Sequence, residues 1–482
     1  MKLNKLVKNI NYIGQSDNRK ILNICHDSRK VKKGTLFIAI AGDQNDGHDY
    51  IFDAIDKGAI AVLANGRSPA TKIVPILQVK NPRKVMSKIA ANFYDNPSKE
   101  LSIIGITGTN GKTTTTQIID QILKYCNKNS SSLGTLGFNS PTGIISTGFT
   151  TPESIDLQQI FRTLKDGGID YVPMEVSSHA IDLHRIDNID FNIGIFTNLS
   201  IDHLDYHGNM ENYFNSKLNF LKKLSKKSTA ILNKDDKYYN DIIKNINCKY
   251  LSYGFNNNCD LFISKYKMSL RGTSATIHYN NIEYKIDTNL IGKYNLYNLM
   301  AAILSCLKIG IEFKRIKDAI KNLHQIPGRL ENFNLINDNQ AIIDYAHTPD
   351  AYQNILENIK NISSKNKIIT IFGCGGDRDK SKRPIMAKIV EKYSNFSYIT
   401  DDNPRFENPD EIINDIIKGF KNKNYKIVRD RKKAILDAIQ KNKNCTILIM
   451  GKGRENYQII GKEKIPHSDI DIIREYINEN KD

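Results

Sequence analysis

The stretch Leu101-Ser102-Ile103-Ile104-Gly105-Ile106-Thr107-Gly108-Thr109-Asn110-Gly111-Lys112-Thr113-Thr114 decides the fold. Residues 101–106 are an apolar run with the length of a buried parallel strand. After Lys112, the residues Ile118, Ile119, Ile122 and Leu123 share one face at helical spacing and predict a helix. The loop between them supplies what a triphosphate requires. Gly108 and Gly111 let backbone N–H groups approach phosphate oxygens, and the helix N-terminus adds a favourable dipole. Lys112 is placed to neutralise the β- and γ-phosphates, and the Thr113 hydroxyl to ligate Mg2+. The general phosphate-loop pattern asks for a glycine five positions before Gly111, where this chain has Ile106. The loop therefore differs from that of common kinases and motor NTPases. A Gly-rich turn with no ligand is the bland alternative.

Outward from the loop, 482 residues are too many for one ordinary core and suggest about three domains. Residues 1–97 mix short strands, at 34–40 and 59–63, with a helix at 50–57. Residues 98–326 alternate strand and helix signals and hold an Ala/Leu-rich helix at 299–307. Pro327-Gly328 then punctuates the chain. Residues 327–482 repeat a strand-then-helix rhythm, with apolar runs at 368–372, 397–400 and 446–450. That rhythm predicts a doubly wound, Rossmann-like α/β domain, with ligands beyond the carboxyl ends of its strands. The expected fold class is α/β in three domains, the central one a P-loop ATP-binding domain.

Composition narrows the function. Hydrophobic residues at 40% and charged residues at 25% are ordinary for a globular protein. The net charge of +17 comes from lysines interspersed with Asn, Asp and Ile. No basic block alternates with aromatics as a nucleic-acid platform would. The excess reads as a solvated surface, with attraction for anionic substrates as the alternative. The seven cysteines stand singly without a Cys-x-x-Cys pair, which excludes a zinc ribbon and suits a reducing compartment. No apolar run approaches the ~20 residues of a membrane span, and the N-terminus lacks a signal-peptide pattern. A cytoplasmic chain with no membrane insertion is expected.

Further motifs follow in order: Asp27-Ser28-Arg29, Gly47-His48, Thr150-Thr151-Pro152-Glu153, Glu175-Val176-Ser177-Ser178-His179 and Thr197-Asn198-Leu199. Then come Asp202-His203-Leu204-Asp205-Tyr206-His207, Pro327-Gly328-Arg329, Asp344-Tyr345-Ala346-His347 and Gly373-Cys374-Gly375-Gly376-Asp377-Arg378. With Thr107-Gly108-Thr109-Asn110-Gly111-Lys112-Thr113, this series resembles the Mur ligase family over essentially the whole chain.

The resemblance implies formation of an amide bond through an acyl phosphate, with ATP as co-substrate and Mg2+ as cofactor. It implies that Thr113, Glu175 and His203 ligate magnesium. Lys217, in Phe214-Asn215-Ser216-Lys217-Leu218, resembles the family's carbamylated lysine beside a second metal. Lys112, Glu175, His203 and Lys217 are thus the catalytic candidates. Gly108, Thr109, Asn110, Gly111, Lys112, Thr113, Thr114, Asn298, Arg329, Asp344 and His347 match ATP-binding positions. Ser28, Thr150, Thr151, Ser177 and Arg185 match positions that hold a UDP-MurNAc-dipeptide, although Ser and Thr are also common cap and turn residues. His207 lies four residues after His203, but only His203 is expected to be a ligand.

Asp402-Asn403-Pro404-Arg405 resembles the recognition motif of the branch that adds meso-diaminopimelate. Arg405 offers a planar fork for a second carboxylate, which lysine lacks. Arg378, Asp402, Asn403, Pro404, Arg405, Gly451 and Glu455 form the expected amino-acid pocket, Arg378 at a carboxylate and Glu455 at an ammonium. Arg454 departs from the family, where His is usual, and is expected only to support its loop, since Arg cannot act as a base near neutral pH. The implied function is a monomeric, ADP-forming ligase of peptidoglycan precursor synthesis that needs neither nucleic acid nor membrane. The alternatives are a lysine-adding sibling, a folylpolyglutamate synthetase, a nucleic-acid-binding P-loop NTPase and a non-catalytic scaffold.

Overall fold

Three large sheets follow one another along the described residues, with a two-stranded antiparallel sheet of Tyr457–Ile460 and Glu463–Pro466 after them. The computed structural model describes all residues except 43–44, 70, 72, 141–142, 364–366 and 481–482. The first sheet is parallel, in the order β1 (Asn23–Cys25), β2 (Thr35–Ile38), β3 (Ala59–Ala64) and β4 (Ile76–Gln78). One apolar cluster around Leu36, Ile38 and Leu63 covers one face, and another around Phe37, Val62 and Ala64 covers the other. The alternation of neighbouring residues between clusters is the two-residue period of a strand buried on both faces.

The second sheet contains β5 (Ser102–Thr107), β6 (Leu133–Gly134), β7 (Gly137–Ser140), β8 (Gly143–Ile145) and β9 (Tyr171–Glu175). It continues with β10 (Phe191–Phe196), β11 (Thr229–Asn233), β12 (Lys249–Gly254), β13 (Leu261–Ser269), β14 (Gly272–Tyr279) and β15 (Ile282–Thr288). The spatial order is β15-β14-β13-β12-β11-β10-β5-β9-β6-β7-β8. β5 lies between β9 and β10, parallel to both, so the loop after it opens at a switch point in the strand order. The expected alternation of strand and helix breaks at β13–β15, an antiparallel extension. Asn280 and Asn281 adopt positive φ (50° and 61°), the backbone of a two-residue hairpin turn, so the strands need no crossover helix. The helix Lys293–Lys308 is longer than its Ala/Leu-rich centre, and its buried positions lie in the main core cluster.

The third sheet has β16 (Glu331–Asn334), β17 (Gln340–Asp344), β18 (Lys367–Phe372), β19 (Phe396–Ile399), β20 (Tyr425–Ile427) and β21 (Cys445–Met450). Its order is β16-β17-β21-β18-β19-β20, parallel except for β16. All six residues of β21 are buried, as expected for a strand covered on both faces. The three apolar runs of the last region are β18, β19 and β21, adjacent in space. The fold class is α/β with a three-domain architecture.

Candidate active site

The carboxyl ends of β5, β9 and β10 converge. The loop after β5 is built on Gly111, whose φ of 87° is left-handed and whose missing Cβ leaves room for Asn298 Oδ1. The loop is tied to the end of β10. Thr109 N donates to Asn198 O (2.9 Å), Asn110 N to Asn198 Oδ1 (3.0 Å), and Thr197 Oγ1 to Asn110 O (2.6 Å). Thr109 Oγ1 lies 3.2 Å from Tyr213 Oη. Asn298 sits buried behind the loop, where its Oδ1 accepts from Thr115 Oγ1 at 3.3 Å. Thr114 is buried in the first turn of the helix.

Glu175 ends β9 beneath the helix N-terminus. Its Oε2 accepts from Thr113 Oγ1 (3.0 Å) and Thr135 Oγ1 (3.2 Å), and its Oε1 from Thr135 N (2.8 Å). Side chain and strand pack so closely that a Cβ on Gly134 would overlap the carboxylate. Thr135 also meets Thr150, with 3.2 Å between hydroxyls. Nothing in the motif pattern pointed to Thr135, because a lone threonine in a Gly-rich turn carries no signal of its own.

Lys112 and Lys217 share an acceptor. Lys112 Nζ donates to Gly108 O and Thr109 O, both at 2.8 Å, and the buried Lys217 Nζ donates to Gly108 O at 2.9 Å. Burial, reinforced by the Lys112 charge, pushes the Lys217 ammonium well below the usual lysine range. Lys112 is also lowered, by burial. His203 caps the short helix Leu204–His207 in a left-handed conformation (φ 53°), with Asp202 Oδ2 3.4 Å from its Nε2. Burial holds its pKa below the usual histidine range, which keeps a metal-ready neutral imidazole. His207 is occupied structurally, 2.9 Å from Ser178 Oγ and 3.5 Å from Asp182. Thr113 and Glu175 are therefore in direct contact, whereas His203 and Lys217 form the neighbouring group.

The expected dipeptide-nucleotide positions lie on the side toward the first sheet. Thr151 Oγ1 donates to Glu175 O (2.9 Å) and accepts from Ser177 N (3.1 Å). Ser177 caps its helix by accepting from Ala180 N at 3.2 Å. Arg185 donates to Thr151 O (3.0 Å) and pairs with Glu153 (2.8 Å), which also pairs with Arg83 (3.1 Å). The Arg83–Glu153–Arg185 chain links the first region to the second and was not foreseen. Ser28 is buried on a turn after β1, capped by Asp27.

The third sheet brings its strand ends to the opposite wall. Asp344, ending β17, accepts from Leu330 N (2.8 Å) and Ala346 N (2.7 Å) and is raised by burial. Arg329 donates to Thr113 Oγ1 (3.3 Å) and stacks on Tyr345, with 4.8 Å to the ring centre. A cavity of about 1350 Å³ separates the walls. Asp202 and His203 line it from one side, and His347, Arg378, Arg405 and Glu455 from the other. Gly451, Asp402 and Asn403 line it as well, with Pro404 buried beside them. Arg405 Nη1 donates to Gly376 O (2.7 Å); burial and the neighbouring Arg378 lower its pKa, against the opposing pull of Asp402, Glu455 and Asp377. Glu455 Oε2 accepts from Asn403 Nδ2 (2.9 Å) and from the fully buried Lys452 (3.0 Å). Lys452 is a further residue that the motifs missed. Arg454 leaves its own loop and donates to the main-chain oxygen of Thr135.

The arrangement thus sets the Gly108–Thr113 loop beside a cavity lined by charged side chains. Comparisons with known proteins agree. Residues 20–94 match the Mur ligase family, catalytic domain; residues 106–306 the Mur ligase middle domain; and residues 328–453 the Mur ligase, glutamate ligase domain. The chain is 42% identical to UDP-N-acetylmuramoyl-L-alanyl-D-glutamate--2,6-diaminopimelate ligase 1 of Clostridium acetobutylicum, covering 99% of this chain and 100% of that protein. It is 43% identical to the corresponding ligase of Clostridioides difficile, again over 99% and 100%. A solved UDP-N-acetylmuramoyl-L-alanyl-D-glutamate--2,6-diaminopimelate ligase superimposes with a TM-score of 0.71 at 28% identity, covering 100% of this chain and 99% of that one. A folylpolyglutamate synthase of Mycobacterium tuberculosis shares the fold at a TM-score of 0.65 and 15% identity, over 76% of this chain and 92% of that one. Full-length identity above 40% and matches across all three regions settle the question of kinship: the chain belongs to the Mur ligase family.

Proposed function

We propose that the chain is an ATP-dependent, ADP-forming ligase that joins meso-diaminopimelate to UDP-N-acetylmuramoyl-L-alanyl-D-glutamate in peptidoglycan precursor synthesis. Residues 1–97 would hold the UDP-MurNAc end, 98–326 the ATP, and 327–482 the amino acid. The observation that carries the reading is a single cavity with His203 on one wall and Arg378, Arg405 and Glu455 on the other. A substrate carboxylate oxygen attacks the γ-phosphorus and ADP leaves. The amine then attacks the acyl carbonyl, and phosphate departs from the tetrahedral intermediate. Gly108–Thr113 backbone N–H groups and Lys112 cradle the phosphates, and Lys112 moves its charge from two carbonyl oxygens to the triphosphate.

Thr113 and Glu175 present hard oxygen donors 3.0 Å apart, which fits Mg2+, an ion that keeps several waters and phosphate oxygens among its ligands. His203 and a carbamylated Lys217 would hold a second ion. When bound, the metal neutralises charge on the transferring phosphoryl group. Arg405 and Arg378 take the distal carboxylate of diaminopimelate, and Glu455 and Asp402 its ammonium. Seven buried, unpaired cysteines support a reducing cytoplasmic setting, and no helix among the described residues is long and apolar enough to cross a membrane. We assign it a monomeric working unit.

An amino-acid panel in an ADP-release assay with the nucleotide dipeptide tests the reading. Turnover should require ATP, the nucleotide dipeptide and meso-diaminopimelate together. Faster turnover with L-lysine would overturn the substrate assignment.

A further inference from the structure

The loop after β21, Gly451-Lys452-Gly453-Arg454-Glu455, faces two ways. Toward the amino-acid pocket, Lys452 Nζ and Asn403 Nδ2 converge on Glu455 Oε2 at 3.0 and 2.9 Å, and Lys452 also donates to Asn403 Oδ1 at 3.1 Å. Lys452 is fully buried, so this end of the loop is anchored from beneath. One residue before Glu455, Arg454 reaches 319 positions back along the chain to Thr135 O. Thr135 is the residue whose N and Oγ1 fix both oxygens of Glu175, at 2.8 and 3.2 Å. The Arg329 loop packs against the same segment: a Cβ on Gly328 would overlap the main chain of Gly453 and Arg454. Arg329 and Arg454 therefore arrive together at the Thr113–Glu175 pair, both carried by the third region of the chain.

We propose that Arg454 is a positioning residue that couples the amino-acid pocket to the nucleotide site. Adjacent residues of one anchored loop cannot move independently. When Glu455 is drawn onto an amino-acid ammonium, Arg454 is held on Thr135, and Thr135 sets the carboxylate that faces the phosphate loop. The coupling is reciprocal: nucleotide bound against Glu175 and Thr113 favours the loop position that suits the amino acid. A histidine at this position has neither the length nor the fork of an arginine, so the contact is a feature of this chain. The inference rests on the reading of the pocket as the diaminopimelate site.

The test is calorimetric titration of meso-diaminopimelate into the full chain, with and without saturating Mg2+ and a non-hydrolysable ATP analogue. The native protein should bind the amino acid at least about fivefold more tightly when the nucleotide is present, within the usual range of site-to-site coupling. Arg454→Met keeps the apolar stem and should bring that ratio to about one, while the affinity for each ligand alone changes by less than about threefold. Arg454→Lys, which keeps the charge but offers a single donor group, should be intermediate and serves as the second variant if the methionine form fails to fold. A ratio undiminished in both variants, or no coupling in the native protein, overturns the inference. Failure of the native chain to bind meso-diaminopimelate in either condition overturns the substrate reading instead.

Discussion

Replacing Arg405 by methionine should remove the preference for meso-diaminopimelate over L-lysine. The Arg405 backbone is left-handed (φ 54°) and pinned on both sides, with N donating to Ile459 O at 3.0 Å and O accepting from Gly461 N at 2.8 Å. The guanidinium is thus aimed before a ligand arrives. One nitrogen is occupied by Gly376 O, and the side chain is half-buried beside Arg378, which together with burial lowers its pKa. An anion entering there relieves two cations at once. Two charge-assisted bonds of about 1.5–3 kcal/mol each, less the cost of desolvating the carboxylate, leave a net of roughly 2–4 kcal/mol. At 1.4 kcal/mol per decade, kcat/KM for meso-diaminopimelate should fall roughly 30- to 1000-fold. That for L-lysine should hold or rise, because lysine no longer strands a half-buried cation. Phosphate release at matched amino-acid concentrations, with ATP and the nucleotide dipeptide saturating, measures both. A variant whose preference stays within about threefold of the native value would refute the argument.

Gly111→Ala forces a residue with φ of 87° to carry a Cβ against Asn298 Oδ1; the left-handed backbone alone costs about 1–2 kcal/mol, so ADP affinity by titration should fall at least about tenfold. Unaltered affinity would show that the loop tolerates the clash. Lys217→Ala should abolish turnover, and added bicarbonate should not restore it; near-normal turnover would remove Lys217 from the site. Glu407 pairs with the fully buried Arg383 at 2.7 Å and is held at about 2, chiefly by that hydrogen bond, against an ordinary 4.5. A depressed carboxyl stabilises above its unfolded pKa and loses that contribution as pH falls through its folded one. Glu407→Gln should therefore lower Tm near neutral pH, by the equivalent of about 1.5–3 kcal/mol for one charge-assisted hydrogen bond, since Arg383 keeps Asp415 (3.1 Å) as a partner. The gap should close between pH 4.5 and about 2, and a gap independent of pH would contradict the linkage.

The sequence was most legible where chemistry and periodicity coincide. Residues 101–114 announced a strand, a turn and a helix, and these are β5, its loop and the helix Lys112–Tyr125. The runs that became β18, β19 and β21 were readable because parallel strands covered on both faces are apolar throughout. β13–β15 were missed because their residues alternate between core and solvent, and the Asn280-Asn281 turn was not weighed. Within the site, carboxylates and lysines in motifs could be singled out by type. Thr135, Lys452 and the Arg83–Glu153–Arg185 chain could not, since their partners lie 40, 49 and 70 residues away or are main-chain atoms. Tertiary folding supplies those pairs, within one region for Thr135–Glu175 and Lys452–Asn403 and between two regions for Arg83–Glu153. The contact of Arg454 with Thr135 lay beyond the motifs for the same reason, because its partner belongs to another sheet.

Lys112 of the phosphate loop and Lys217 of the helix Met210–Lys222 are suited to different tasks, one to phosphate and the other to the proposed modification. Both donate to Gly108 O, so two ammonium groups crowd one oxygen, and the more deeply buried one, Lys217, gives up its proton more readily. A neutral amine can attack CO2; the products are a carbamate and one released proton, which water carries away. On the proposed reading the carbamate nitrogen would retain one N–H for Gly108 O, and its oxygens would add a negative charge near Lys112. That charge would turn the Lys112 repulsion, which adds to burial in lowering Lys217, into attraction. On that reading, the same burial that makes Lys217 expensive as a cation would suit it to carbamylation, and the anionic product would offset the Lys112 charge.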